Sequence, residues 1–162
     1  MSRIIATFFF VGYLKPAPGT WGSLAALPVG YIIASIGGWP LLLAASALAY
    51  AVGFWATKIE TQGQESHDPS EIVIDEVVGQ WIALLPVVYG ATRADASLLA
   101  LWPGWVAAFV LFRLFDITKP SLVGWADKRD DAVGVMLDDV IAGIFAAVGV
   151  IVLAGLYHVV LI

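Results

Sequence analysis

Three apolar runs, at residues 40–57, 96–115 and 140–162, match the ~17–25 residues that a helix needs to cross a bilayer. They narrow the folds open to this chain more than anything else in it. Two further runs are shorter: 21–36 contains Pro28, and 77–89 is interrupted by Pro86. The latter reaches spanning length only by starting near Ile72, which puts Asp75 and Glu76 inside its first turns. The expectation is an all-α integral membrane bundle of four to five transmembrane helices, five by this count, with 1–162 as a single domain. Composition agrees. The chain is 60% hydrophobic and 13% charged, against about 45–50% and about 25% in an average soluble domain. The opening, Arg3 followed by apolar residues 4–14, resembles a signal peptide. Lys15-Pro16-Ala17-Pro18-Gly19 follows it, however, instead of a small-residue cleavage site. That segment is expected to be retained as an interfacial or short core helix.

Threading the chain through five spans sorts its charges. Arg3, Lys15, Lys58, Arg113, Lys119, Lys128 and Arg129 fall on one side, and only Arg93 falls on the other. Twelve of the thirteen acids share the crowded side, Asp95 being the exception. A Lys/Arg excess marks the cytoplasmic side. The polar face, and any site built on it, is thus expected to face the cytoplasm.

The residues present exclude several chemistries. Without cysteine there is neither a disulfide framework nor a thiolate nucleophile. There is no Gly-x-Ser-x-Gly elbow and no Walker loop, and the two histidines, His67 and His158, lie far apart in sequence. No basic stripe exists to offset phosphates, so nucleic acid is not an expected partner. What remains is carboxylate, which is costly at a membrane boundary unless paired or bound to a cation.

Two acid pairs precede apolar runs, Asp75-Glu76 and Asp138-Asp139. Helix capping explains one acid per helix readily. Both pairs also carry a glycine four residues on, as Asp75-x-x-x-Gly79 and Asp139-x-x-x-Gly143. Residues at that spacing share a helix face, and glycine lets a neighbouring backbone come close. Such an approach would bring the carboxylates together and call for a cation. Asp116, at the end of the fourth run, opposes the helix dipole and is not explained by capping. Arg113 and Lys119 flank it three residues away on either side. Asp116 reads as a metal ligand, Lys119 as a phosphate contact, and Arg113 as a phosphate contact or a local ion pair. The small-residue start of the first span, with Gly19, Thr20 and Ser23, offers free backbone N–H groups and hydroxyls suited to phosphate. His67-Asp68 lies in a loop on the same face, where an ordinary loop pair competes with a metal or phosphate role.

These motifs resemble the phosphatidylglycerophosphatase A family of membrane enzymes. The resemblance runs from about residue 5 to residue 143. It covers Pro18-Gly19-Thr20-Trp21-Gly22-Ser23, His67-Asp68 with Asp75-Glu76-x-x-Gly79, Phe112-Arg113-x-x-Asp116-x-x-Lys119-Pro120, and Gly134-x-Met136-x-Asp138-Asp139-x-x-x-Gly143. The chain departs from the family pattern at Leu122 and at Asp131-Ala132. The resemblance implies Mg2+-dependent removal of phosphate from phosphatidylglycerophosphate, a bilayer phospholipid, to leave phosphatidylglycerol. It implies one or two Mg2+ ions on Asp75, Glu76, Asp116, Asp138 and Asp139. Catalysis would rest on Asp75, Glu76, Asp116, Lys119 and Asp139. Substrate would meet Gly19, Thr20, Ser23, Arg113 and Lys119, with His67 and Asp68 beside them. The implied location is the bacterial cytoplasmic membrane. Three rivals remain: a phosphatase for another lipid phosphate, a non-catalytic membrane scaffold, and a divalent-cation transporter, which would spread its acids through the depth of the spans.

Overall fold

The chain makes helices because in hydrocarbon a helix satisfies its own backbone polar groups. The computed structural model describes residues 1–63, 69–129 and 131–161. Among them there is no strand. The elements are α1 (Ser2–Ala6), a 3-10 turn (Val11–Tyr13), α2 (Pro18–Glu60), α3 (Ile74–Arg93), a second 3-10 turn (Leu98–Leu101), α4 (Trp102–Thr118), α5 (Leu122–Asp127) and α6 (Ala132–Leu161). α2, α3, α4 with its preceding turn, and α6 are long and apolar enough to cross a membrane.

At 43 residues, α2 is too long for one crossing, and its helical geometry breaks at Gly37 and Gly38. Gly38 has φ +62° and ψ −158°, a region essentially reserved for glycine. Packing shows what the break does. Gly22 backs onto Val73, Gly30 onto Trp81 and Leu84, and Gly38 lies near Thr92, so the first limb runs alongside α3 in the same direction. Gly53 then returns to Ile74. The second limb therefore runs back antiparallel to α3, and the chain makes five passes.

α3 sits at the centre, with Val77, Val78, Ala83, Leu84 and Val88 all buried. It is a full 20-residue helix that continues through Pro86, as membrane helices allow when neighbours re-satisfy the freed carbonyl. α4 runs antiparallel to it, Gly104 against Val87 and Phe112 against Gly79. α6 runs parallel to α3 and antiparallel to α4. Its Gly149 meets Leu111, and its Phe145 stacks edge-on with Phe115 at 5.8 Å.

One end of the bundle thus gathers α1, the start of α2, the start of α3, the end of α4, α5 and the start of α6. The N-terminal segment fastens that end: Val73 N–H donates to the Ala6 carbonyl at 2.9 Å, and Ser2 Oγ to Glu60 Oε1 at 2.6 Å. Among the described residues, the far end carries only Arg93 and Asp95 as charged groups.

The sequence reading placed Asp138-Asp139 just ahead of its helix; α6 in fact begins at Ala132. Asp131 caps it instead, accepting from Gly134 N–H at 2.8 Å. That residue is one of the two departures from the family pattern, and it does ordinary capping work. Asp138 and Asp139 lie well inside the helix, where capping no longer accounts for them.

Candidate active site

The site is built on a helix crossing. Gly79 of α3 and Gly143 of α6 face each other so closely that a Cβ on Gly143 would lie 2.5 Å from the Gly79 carbonyl oxygen. A Cβ on Gly79 would lie 2.6 Å from the Asp139 carbonyl oxygen. Only glycine allows two helix backbones this near. One turn toward the charged end, the crossing brings Asp75, Glu76 and Asp139 together. Each offers a carboxylate oxygen, and the three oxygens lie within 4.8 Å of one another. Asp75 and Asp139 are buried, and Asp139 also lies against Asp116 from α4.

Acids this close repel one another unless cations stand among them. Arg113 is the first. Its Nη1 pairs with Asp116, lies 4.0 Å from Glu76 Oε1 and donates to Ser23 Oγ at 3.4 Å. Gly19 backs directly onto Glu76 and the Arg113 guanidinium, so any side chain there would overlap the Glu76 carboxylate. Thr20 is half-buried in the same first turn of α2. Lys119 is the second cation. It ends α4 in the left-handed region, at φ +46°. Its ammonium donates to Asp138 Oδ2 at 3.0 Å and also to Asp127 on α5. Burial works against its charge, but the hydrogen bonds to Asp127 and Asp138 outweigh it and hold the pKa above the usual lysine value. Lys119 therefore keeps its charge across the physiological range.

Two oxygens of the cluster, Glu76 Oε2 and Asp139 Oδ1, are buried without a hydrogen-bond partner, and so is Arg113 Nε. Orphaned acceptors cost about 1–3 kcal/mol each, more when charged. A set of hard carboxylate oxygens with unused lone pairs fits a hard divalent cation.

The fold thus assembles nearly all the residues singled out in the sequence. Asp75, Glu76 and Asp139 form the tight group, Asp116 adjoins it, and Asp138 stands outside it, turned to Lys119. Gly19, Thr20 and Ser23 line the α2 side with Arg113. His67 and Asp68 lie outside the described residues. His158 is remote, near the far end of α6, where its Nδ1 sits 2.8 Å from the Ala154 carbonyl oxygen. Sequence reasoning missed Asp127, the second partner of Lys119, because nothing local marks an acid in a short helix as reaching back to it. It also missed Gln80, which is fully buried and has no partner for either amide atom. Here a signal existed: an uncharged polar residue inside an apolar run, one turn after Glu76.

The family model for phosphatidylglycerophosphatase A matches residues 4–154. A phosphatidylglycerophosphatase A of Haemophilus influenzae is 38% identical over 147 residues, covering 90% of this chain and 84% of its own length. The Escherichia coli protein of that name is 32% identical over 147 residues, 90% of this chain and 78% of its own. A Bacteroides thetaiotaomicron protein, provisionally named a phosphatidylinositol-3-phosphatase, is 38% identical over 149 residues, 88% of this chain and 87% of its own. No solved structure matches the chain.

Proposed function

The chain belongs to the phosphatidylglycerophosphatase A family, and on that premise we propose that it hydrolyses the phosphomonoester of phosphatidylglycerophosphate to phosphatidylglycerol and phosphate. The observation that carries the reading is the convergence of Asp75, Glu76 and Asp139 at one end of an apolar bundle. Acids gathered at one boundary suit an enzyme working on a lipid headgroup better than a transporter, whose path needs polar groups at depth.

In this reading Asp75, Glu76 and Asp139 would hold Mg2+, with Asp116 and Asp138 beside them. The chemistry a divalent cation would supply there is neutralisation of charge developing on the phosphoryl oxygens. The chain's own residues do the rest. Arg113 and Lys119 turn from their carboxylate partners toward the phosphoryl oxygens, and the first turn of α2 at Gly19, Thr20 and Ser23 adds N–H and hydroxyl donors. A carboxylate of the cluster accepts a proton from the attacking water. The water oxygen bonds to phosphorus as the bond to the glycerol oxygen breaks, and that oxygen takes a proton from solvent water at the headgroup boundary as it leaves. The acyl chains remain in the bilayer beside the spans.

Phosphate release from phosphatidylglycerophosphate in detergent should depend on added Mg2+ and vanish with EDTA. Release that is indifferent to chelation, or absent on every lipid phosphate, would overturn the reading. Phosphatidylinositol 3-phosphate belongs in the same assay, since the Bacteroides relative's name supports a phosphatase for another lipid phosphate as the second reading.

The Lys/Arg excess at the site's end supports a cytoplasmic-membrane protein with the site facing the cytoplasm. With five passes, a reporter fused after Ile162 should then be external. A cytoplasmic signal from that fusion contradicts the orientation.

A further inference from the structure

Phe8, Phe9 and Phe10 are three successive bulky residues in left-handed backbone, with φ +44°, +57° and +70°. A side chain crowds the backbone in that region, which glycine occupies freely. The turn is nonetheless well bonded. Phe9 N–H donates to the Ile4 carbonyl at 2.8 Å, Phe10 N–H to Thr7 Oγ at 3.1 Å, and Gly12 N–H to the Thr7 carbonyl at 3.0 Å. Core packing explains Phe8, whose ring is buried. It does not explain the other two, since Phe9 is 73% and Phe10 54% exposed. Their ring contacts are local, Phe9 with Phe8 and Phe10 with Tyr13. Two aromatic rings held outward against the backbone's preference call for a partner beyond the chain.

The depth of the turn says which partner. The first limb of α2, residues 18–36 ahead of the Gly37 break, is about 28 Å long at ~1.5 Å per residue. That is close to the ~30 Å hydrocarbon core of a bilayer, so the start of the limb marks the boundary with the headgroups. The N-terminal segment lies level with that start. The Ala6 carbonyl accepts from Val73 N–H, Val73 packs against Gly22 early in the limb, and Gly12 rests on the Glu71 carbonyl. Exposed side chains at this depth meet headgroups and the first carbons of the acyl chains, where aromatic rings and cations are favoured. Tyr13 and Leu14 are exposed beside the two Phe rings, and Arg3 and Lys15 flank them with exposed positive charge. Arg3 is tied into the patch, its Nε donating to Tyr13 Oη at 2.6 Å.

We propose that Phe9 and Phe10 form an aromatic wedge seated among phospholipids at the boundary of headgroup and acyl chain, with Arg3 and Lys15 beside the lipid phosphates. Transfer of the two rings from water into that layer is what offsets the crowded backbone. The wedge is independent of the phosphatase reading and of any bound cation.

The chain has no cysteine, so Phe9→Cys supplies a single thiol for a fluorescent label. The labelled full chain is placed in phospholipid vesicles and exposed to three quenchers: phospholipid brominated near the headgroup, phospholipid brominated near the bilayer centre, and aqueous iodide. The label should lose most of its fluorescence to the shallow lipid quencher and less to the deep one. Val110→Cys, exposed at the middle of α4, is the comparison and should show the reverse order. Absence of quenching by either lipid at position 9 overturns the proposal. Iodide then tells the two alternatives apart, reaching a turn that stands in water and failing to reach one covered by a second copy of the chain. Quenching by the deep lipid that equals or exceeds that by the shallow one overturns the placement at the boundary. If Phe9→Cys does not fold, Phe10→Cys is read by the same outcomes.

Discussion

Asp139→Asn should lower phosphatase activity about a thousandfold while leaving the metal-free protein as stable as the parent, or more stable. The first half follows if Asp139 holds the cation. Charge neutralisation by a bound metal is worth several kcal/mol in the transition state, and each ~1.4 kcal/mol is tenfold in rate. The second half follows from the surroundings of Asp139. It is buried, its Oδ1 has no partner, and it lies against Asp116 and Asp75. Asparagine keeps the shape and removes one charge from a group of mutually repelling carboxylates, which relieves the metal-free fold. Added Mg2+ should then raise the melting temperature of wild type and barely move that of Asp139→Asn. The opposite pattern, a destabilised variant with near-normal activity, would mean that Asp139 is a structural acid and that the cation site lies elsewhere.

Gly143→Ala should be nearly as damaging to activity and far more damaging to stability. The added methyl would lie 2.5 Å from the Gly79 carbonyl oxygen and 3.0 Å from the Gly79 Cα. Both are backbone atoms, so no rotamer change relieves the overlap, and α3 and α6 must separate. Overpacking of this kind costs about 1–3 kcal/mol. A displacement on the order of 1 Å between reacting groups costs about a hundredfold in rate. The same substitution at Gly155, where nothing lies within 4 Å, is the control within the same helix and should change neither quantity. Equal melting temperatures and activities for Gly143→Ala and Gly155→Ala would refute the close crossing on which the site depends.

Much of the candidate site's geometry was legible in the sequence. The Asp75-x-x-x-Gly79 and Asp139-x-x-x-Gly143 repeat led to the right pair of helices, because acid and glycine four apart must share a face. Asp116 stood out because capping could not explain an acid at a helix end of the wrong polarity. The shortfalls have equally physical sources. Residues 77–89 looked too short for a span because Pro86 interrupts the run, yet α3 continues through it inside a shell of neighbouring helices. Asp138 and Asp139 looked like caps because the apolar run begins at Val140, whereas the helix begins eight residues earlier and is capped by Asp131. Hydrophobicity marks where a segment meets lipid; it does not mark where its hydrogen bonds begin.

By itself the sequence determined the all-helical membrane class and the gathering of charge at one end of the bundle. Apolar run length is judged against a fixed bilayer thickness, and the Gly37-Gly38 break and the charged loops are local in the chain. The tertiary structure decided which carboxylates meet. That depends on how far α3 and α6 rotate about their own axes and how closely they cross. The Gly79–Gly143 contact sets both, uniting Asp75, Glu76 and Asp139 while Asp138 turns away to Lys119. It also decided that Gln80 is enclosed with no hydrogen-bond partner for its amide. Burial of a side chain is a property of the neighbours packed around it, and those neighbours come from distant parts of the chain.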